Sequence, residues 1–207
     1  MHTGTKGAFG SAPAGGSTKR LFALVLAAGS GSRFRSSKQL ALYDGTALVT
    51  RAVRLAEAVC GPRTVLVAGH DWRRVAEACR PLQGFFVNNT QYRRGMGSSI
   101  ACGVGSVTGA ADAVLLLLAD QPLVTVSHLE QLVATWIRAP DDVTATSFAE
   151  TSGPPVIFPS RSFADLGQLR GDRGARELLA ADNRVRTVRL DAAATDIDVP
   201  EDIDRLP

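Results

Sequence analysis

Short apolar runs alternate with segments of helical period from Leu21 onward, and this alternation constrains the fold more than any other feature. Runs rich in Val and Leu predict strands at residues 21–28, 64–68, 85–88 and 113–119. Apolar residues at helical spacing predict helices at residues 47–60, 71–79, 98–107 and 126–137. Such an alternation is typical of an α/β domain with a mainly parallel sheet. We therefore expect all four strands to be buried on both faces.

The pattern is less regular after Pro140. It predicts strands at 143–146, 156–158 and 185–190, a break at residues 153–155 and a helix at 173–181. Asp172 is the expected cap of that helix, and either Thr125 or Ser127 is the expected cap of helix 126–137. Residues 1–19 are rich in Gly, Ser, Thr and Ala and have no apolar run, so we expect them to form a flexible tail. Because there is no internal repeat and no sharp boundary, we expect one domain at 20–207.

Length and composition exclude several classes of protein. A chain of 207 residues with 45% hydrophobic residues can bury one sizeable core. Three basic residues and no acid lie before Leu21, so the rest carries 20 basic and 20 acidic residues, which argues against a nucleic-acid partner. The apolar run at 113–119 is too short to cross a bilayer, which argues against a membrane partner. Three cysteines without a C-x-x-C pair favour the reduced cytoplasm.

A glycine-rich loop, LAAGSGSRFRSSK at residues 26–38, follows the first predicted strand. Gly29 and Gly31 let backbone N–H groups approach an anion closely. Arg33 and Lys38 can then neutralise phosphate oxygens. The loop matches neither the G-x-G-x-x-G dinucleotide fingerprint nor the P-loop. We interpret it as an anion-binding loop, and the alternative is a solvated turn with stray cations.

Acidic residues follow the later strands. Asp120 ends a buried run, and Mg²⁺ prefers one or two protein carboxylates in combination with substrate phosphates. The alternative for Asp120 is an Asx turn or a helix cap. Asp196 and Asp198 would share one face of an extended segment, so one of them could meet a metal held by Asp120. A last helix starting at Pro200, with acids in its first turn, is compatible with that interpretation.

The segment NNTQYRRGMGSS at residues 88–99 runs from a strand end through Gly95 and Gly97 into a helix. Free N–H groups and serines at such a helix start suit polar base edges or an anion. The three histidines are too scattered for a metal cluster or a catalytic triad. No G-x-S-x-G elbow is present, which disfavours acyl transfer.

Six sequence blocks occur in an order that is similar to one family. They are LAAGSGSRFRSSKQL at 26–40, NNTQYRRGMGSSI at 88–100, LLLLADQPLV at 115–124, GPPVIF at 153–158, GDRGARELL at 171–179 and DIDVPED at 196–202. The first resembles the signature of the MobA-like nucleotidyltransferases, and the series resembles their molybdenum cofactor cytidylyltransferase branch. The resemblance implies a Rossmann-like three-layer α/β/α fold with a mainly parallel central sheet. It also implies Mg²⁺-dependent transfer of a nucleotidyl group from an NTP to a phosphorylated acceptor, with release of pyrophosphate.

The resemblance also implies roles for particular residues. The residues that would bind the nucleotide are Leu26, Ala27, Ala28, Gly29, Ser30, Gly31, Arg33, Lys38, Gly97, Ser98 and Ser99. Arg33, Lys38 and Asp120 would be catalytic, and Asp120 and Asp198 would face the metal. Ala28 and the GDRGAR block point to CTP as the donor. The resemblance to the branch as a whole implies molybdopterin as the acceptor and a molybdenum hydroxylase as a further partner.

Three positions depart from the family pattern. Arg35 replaces a usual glycine, Ser37 replaces a usual proline, and Ala68 replaces a polar residue that contacts the nucleotide in some relatives. Two alternative functions also stay open, the first because some proteins that resemble this family are described as reductases of heterocyclic compounds. One is an NAD(P)H-dependent oxidoreductase of a heterocyclic substrate, and the other is a non-catalytic nucleotide-binding partner of a molybdenum enzyme.

Overall fold

The computed structural model describes residues 19–29, 37–171 and 174–206. The strands there are β1 (Leu21–Ala27), β2 (Leu42–Tyr43), β3 (Thr46–Ala47), β4 (Thr64–Ala68), β5 (Phe85–Asn88), β6 (Ala113–Leu118), β7 (Val143–Phe148), β8 (Thr151–Pro159) and β9 (Val185–Arg189). The helices there are α1 (Leu48–Cys60), α2 (Trp72–Ala78), α3 (Met96–Val107), α4 (Val126–Arg138), α5 (Phe163–Gln168), α6 (Ala175–Ala181) and α7 (Pro200–Ile203).

A seven-stranded sheet in the order β5-β4-β1-β6-β8-β7-β9 forms the centre of the domain. The pairs β5–β4, β4–β1, β1–β6 and β7–β9 are parallel, whereas β8 is antiparallel to both β6 and β7. Strands β2 and β3 form a separate two-stranded hairpin. The predicted α/β fold with a mainly parallel central sheet is therefore confirmed.

Two apolar cores cover the two faces of this sheet. Residues of β1 alternate between them: Ala23 and Val25 pack on one side, and Leu24 and Leu26 on the other. Helices α1, α2 and α4 contribute to the first core, and α3, α5 and α6 to the second. The domain therefore has the three layers that the sequence led us to expect.

The burial prediction is wrong for β5. Strands β1, β4 and β6 lie inside the sheet and are almost entirely buried, whereas β5 is an edge strand on which Phe85 is 38% exposed. Because β5 has a neighbouring strand on one side only, its apolar residues are partly exposed to solvent. Apolar composition does not indicate where a strand lies in the sheet, which is why the prediction of burial on both faces failed for β5.

The predicted break at residues 153–155 is also wrong, because β8 runs from Thr151 to Pro159. In the pairing of β7 with β8, Ala145 lies opposite Val156 and Thr146 lies opposite Gly153. Pro154 and Pro155 are therefore the extra residues of a bulge, where the absence of a backbone N–H costs no ladder hydrogen bond.

Most predicted helix bounds differ from the observed ones by one or two residues. Thr125 caps α4, since its Oγ1 accepts from the His128 N–H at 3.4 Å and the His128 ring accepts from the Thr125 N–H at 3.1 Å. Asp172, the predicted cap of α6, and nearly all of the predicted tail at 1–19 lie outside the described residues. Within the described ranges, none of the helices is long and apolar enough to span a membrane.

Strand β1 is a topological switch point, because the chain continues to β4 on one side of it and to β6 on the other. The carboxyl ends of these three parallel strands meet at one edge of the sheet, at Ala28, Gly69 and Ala119. At Gly69 the backbone passes so close to Tyr92 that an added Cβ would lie 2.5 Å from the Tyr92 Cβ. This crowded crevice is where open α/β sheets bind ligands.

Candidate active site

One lysine and two aspartates meet at the carboxyl end of β6. The ammonium group of Lys38 donates to Asp120 Oδ2 at 2.8 Å and to Asp198 Oδ1 at 3.0 Å. The three residues come from the loop after β1, the end of β6 and the segment before α7. The structure thus brings together three of the predicted site residues, which lie 82 and 160 positions apart in the chain.

Lys38 is held there in its charged form. Burial lowers its pKa, but the carboxylates of Asp120 and Asp198 outweigh burial and raise the pKa of Lys38 above its ordinary value. The exposed side-chain fractions are 13% for Lys38, 30% for Asp120 and 62% for Asp198. The Lys38–Asp120 contact is therefore largely shielded from solvent, whereas the Asp198 carboxylate faces water.

Backbone contacts position Asp198. The Ile197 N–H donates to the carbonyl oxygen of Asp120 at 2.9 Å, and Ile197 is fully buried. The Asp202 carboxylate accepts from the N–H groups of Asp198 and Val199, at 2.8 and 2.9 Å, which lowers the pKa of Asp202. The predicted last helix is confirmed, because Pro200 begins α7. Asp198 reaches Lys38, and its role at a metal stays a prediction.

Asp196 adds a third carboxyl group to the neighbourhood. Although the residue is exposed as a whole, its carboxyl group lies beside Gln121 and near Asp120. Partial burial and the Asp120 carboxylate raise the pKa of Asp196 to about 6, and the hydrogen bond with Gln121 opposes them. Ionisation of Asp196 is therefore less favourable than that of an ordinary aspartate, and a cation bound nearby would favour it.

The glycine-rich loop is fixed at both of its ends. The buried Gln39 donates through Nε2 to the carbonyl oxygen of Gly29 at 2.5 Å. Ser37 donates through Oγ to Asp71 Oδ2 at 2.7 Å, a contact that a proline could not make. The expected ligands Ser30, Gly31 and Arg33, and also Arg35, lie outside the described residues.

The end of β1 offers mainly backbone to a ligand. Leu26, Ala27 and Ala28 are buried, whereas Gly29 is exposed. The Ala28 carbonyl oxygen already accepts from the His70 N–H at 3.3 Å. Ala68, where some relatives carry a polar contact, is fully buried in β4.

The start of α3 differs from the prediction of free N–H groups. The Gly97 N–H donates to the carbonyl oxygen of Gly171 at 3.0 Å, and the Ser98 N–H donates to Gly95 at 3.1 Å. Ser98 and Ser99 are buried, and their hydroxyl oxygens accept from Asn89 Nδ2 at 2.9 and 3.0 Å. The Ser98 N–H finds a local partner in Gly95, whereas Gly171 before α6 and Asn89 after β5 are tertiary partners that local sequence does not reveal.

The predicted metal ligands fit Mg²⁺ in number and chemistry. Asp120 Oδ1 is buried and has no donor in the part of the chain that the structure describes, so one carboxylate oxygen is left without compensation. Asp120 and Asp198 supply hard oxygen donors on either side of one ammonium group. No group of three or more His, Cys, Asp or Glu residues forms a cation cluster among the described residues. Two carboxylates are nevertheless the usual protein contribution when substrate phosphates complete the coordination.

Sequence reasoning missed the residues that hold this arrangement. Gln39 and Gln121 stand next to Lys38 and Asp120, and their amides bond to backbone elsewhere in the fold. The Asp71 carboxylate accepts a hydrogen bond from the Ser37 hydroxyl, and the backbone of Asp71 is left-handed, with φ of 55°. The only available signal was that each glutamine adjoins a candidate residue.

A half-buried lysine and paired carboxylates thus lie at the switch point of a mainly parallel sheet, the place where α/β proteins bind ligands. The family is specific: a model described as the MobA-like NTP transferase domain matches residues 23–187. The chain belongs to this family of nucleotidyltransferases.

Known proteins with similarity to the chain agree with that membership. The purine catabolism protein PucB of Bacillus subtilis is 38% identical over 116 residues, which are 54% of this chain and 55% of that protein. The chain therefore spans little more than half the length of this curated relative.

Solved structures share the fold. A homologue of Mycobacterium tuberculosis Rv0371c, from Mycobacterium sp. strain JC1, has a TM-score of 0.76 at 27% identity and covers 90% of this chain and 94% of its own. Molybdopterin-guanine dinucleotide biosynthesis protein A from Archaeoglobus fulgidus has a TM-score of 0.65 at 16% identity and covers 88% and 95%. The predicted Rossmann-like nucleotidyltransferase fold is therefore confirmed.

Proposed function

We propose that this chain transfers CMP from CTP to a phosphorylated acceptor, molybdopterin or its metal-loaded form, and releases pyrophosphate. Membership of the MobA-like family supports nucleotidyl transfer and favours it over the oxidoreductase and non-catalytic alternatives. Ala28 and the GDRGAR block support CTP as the donor, through their resemblance to the cytidylyltransferase branch. In this proposal residues 20–207 act as one nucleotidyltransferase domain.

One observation carries the proposal: Lys38 contacts both Asp120 and Asp198 where β1 and β6 end. Transfer of a nucleotidyl group moves negative charge from the α-phosphate to the departing pyrophosphate. A lysine that can turn towards phosphate oxygens, next to carboxylates that can hold a cation, supplies the charges that this reaction requires.

The residues have separate roles in the proposed reaction. The acceptor phosphate oxygen attacks the α-phosphorus of CTP in line with the departing pyrophosphate. Gly29, with Ser30 and Gly31, holds the triphosphate through backbone N–H groups, and Arg33 and Lys38 neutralise its oxygens. No strong base is needed, because a phosphate monoester is already an anion near neutral pH. Catalysis then consists mostly of positioning and charge stabilisation.

Asp120 and Asp198 would hold Mg²⁺ in this proposal. When bound, the metal would neutralise phosphate charge and orient the triphosphate. The orphaned Asp120 Oδ1 supports this role, because a buried carboxylate oxygen without a donor gains from a cation. The same cation would favour the ionised form of Asp196, whose pKa is raised to about 6 by partial burial and by the Asp120 carboxylate.

Gly97, Ser98 and Ser99 would form one wall of the base site. Asn89 holds both serine hydroxyls, so the wall is rigid, which favours selection between bases. The Bacillus subtilis relative is named for purine catabolism. Oxidation of a purine ring suits a molybdenum hydroxylase, and we propose an enzyme of that class as the recipient of the product.

A pyrophosphate-release assay tests the function directly. The purified chain is incubated with molybdopterin, Mg²⁺ and each of the four NTPs in turn. We expect pyrophosphate release with CTP, dependent on both acceptor and metal. Release with GTP alone would overturn the cytidylyl assignment. NADPH oxidation without pyrophosphate would overturn nucleotidyl transfer, and CTP binding without turnover would indicate a non-catalytic partner.

A further inference from the structure

Gln121 follows Asp120 directly and is buried, with 6% of its surface exposed. Its side-chain nitrogen Nε2 donates to the carbonyl oxygens of Pro154, at 3.2 Å, and Ala193, at 2.9 Å. These acceptors lie 33 and 72 positions further along the chain. One amide therefore joins the end of β6 to strand β8 and to the segment that leads into Asp198.

Backbone contacts, together with Gln121, hold the segment of residues 193–198. Ala193 and Ile197 are fully buried, and the Ile197 N–H donates to the Asp120 carbonyl oxygen at 2.9 Å. Two adjacent residues just after β6 thus hold the segment at two points: Gln121 contacts Ala193, and the Asp120 carbonyl contacts Ile197. The Asp198 side chain is 62% exposed, so packing does not fix it. Its distance to Lys38 therefore depends on the backbone of this segment, which Gln121 holds at Ala193 and Asp202 holds at Asp198.

We propose that Gln121 is a positioning residue, which acts by holding residues 193–198 so that Asp198 stays beside Lys38 and Asp120. The inference rests on the proposed function, in which Asp198 faces the metal and the acceptor. The nitrogen is the atom that acts, because Gln121 Oε1 is buried and finds no donor among the described residues. Both bonds have ordinary length and connect elements that are distant in sequence.

Hydrogen exchange of the free protein tests the positioning without any substrate. Gln121→Met keeps the side-chain volume and removes both donors. We expect amides in the peptide covering residues 193–198 to exchange roughly tenfold faster or more, because their local opening becomes easier. Unchanged exchange in that peptide would overturn the proposal.

A double-mutant cycle tests the link to Asp198. If Gln121 acts through Asp198, then Gln121→Met and Asp198→Asn should each lower kcat by roughly tenfold, and the combined variant should lose no more than Asp198→Asn alone. A combined variant whose kcat falls by roughly a hundredfold, the product of the two single losses, would overturn the link between Gln121 and Asp198. Direct Mn²⁺ titration of the same four proteins should show the same non-additivity.

Thr146→Val is a matched control, because Thr146 Oγ1 donates at 2.6 Å to the carbonyl oxygen of Pro155, next to the Pro154 carbonyl that Gln121 contacts, and not to residues 193–198. In the Thr146→Val variant, hydrogen exchange in the peptide of residues 193–198 should match that of the wild type. When Thr146→Val is combined with Asp198→Asn, the fold-losses in kcat of the two single variants should multiply. If Gln121→Met fails to fold, Gln121→Asn, which shortens the reach of the amide, takes its place with the same expectations. A wild-type chain without turnover would overturn the proposed function, while faster exchange in the variant would still support the positioning.

Discussion

Lys38→Met should tighten metal binding and slow turnover at the same time. The ammonium group lies between the two carboxylates, so a divalent cation must displace it from Asp120, at 2.8 Å, and Asp198, at 3.0 Å. The Asp120 contact is partly buried and the Asp198 contact is exposed to water, so together they are worth about 2 kcal/mol. Removing them should therefore strengthen Mn²⁺ binding roughly 30-fold in the absence of nucleotide.

Turnover should change in the opposite direction, because the triphosphate loses a preorganised cation, at a cost of roughly a hundredfold or more in kcat. Electron paramagnetic resonance of free Mn²⁺ measures the first effect, and pyrophosphate release at saturating metal measures the second. Arg186→Met is the control, since Arg186 pairs with Asp142 at 2.9 Å on the distant strand β9; it should alter neither quantity. Weaker or unchanged Mn²⁺ binding together with normal turnover in Lys38→Met would refute the reasoning.

Asp120→Ala should lose roughly a hundredfold or more in kcat and most of its Mn²⁺ affinity, and near-normal turnover would remove Asp120 from its role. Asp196→Asn should raise the free energy of unfolding in metal-free buffer above pH 6, because the folded-state pKa of Asp196 is about 6 and its ordinary value is 3.8. After allowance for solvent screening the gain is about 1 kcal/mol, and it should vanish as the pH falls below the unfolded-state pKa; a gain that is independent of pH would contradict this. Gly69→Ala should destabilise the fold by about 1–3 kcal/mol in chemical denaturation, because the new methyl group meets Tyr92. Gly105→Ala, with nothing within 4 Å of its Cβ, should be neutral or stabilising, and equal losses in the two glycine variants would contradict the steric argument.

The first four long strands of the sheet were predictable because each contains a continuous run of apolar residues. The predicted strands at 64–68 and 85–88 match β4 and β5 in their bounds, and β1 and β6 differ by one residue. The exposure of β5 was not predictable, because the edge position follows from strand order. The continuation of β8 through Pro154 and Pro155 depends on a bulge that only pairing with β7 creates.

The meeting of Lys38 with Asp120 was predictable for a topological reason. Carboxyl ends of neighbouring parallel strands share one edge of the sheet, so polar residues at those ends converge. Asp198, in contrast, lies outside the sheet, in the segment before α7, and its place was implied by the family resemblance. The supporting contacts were not predictable. Gln121 bonds to a carbonyl 72 positions away, and the Gly97 N–H is occupied by Gly171. Such contacts depend on how loops from different strands pack, and local sequence does not indicate that packing.

Diffraction from crystals grown with MnCl₂ and CTP would test the central claim most directly. Anomalous scattering should place Mn²⁺ in contact with carboxylate oxygens of Asp120 and Asp198, with the Lys38 ammonium group moved onto the triphosphate. An occupied nucleotide whose metal lies away from both aspartates, with Lys38 still bound to Asp120, would contradict it.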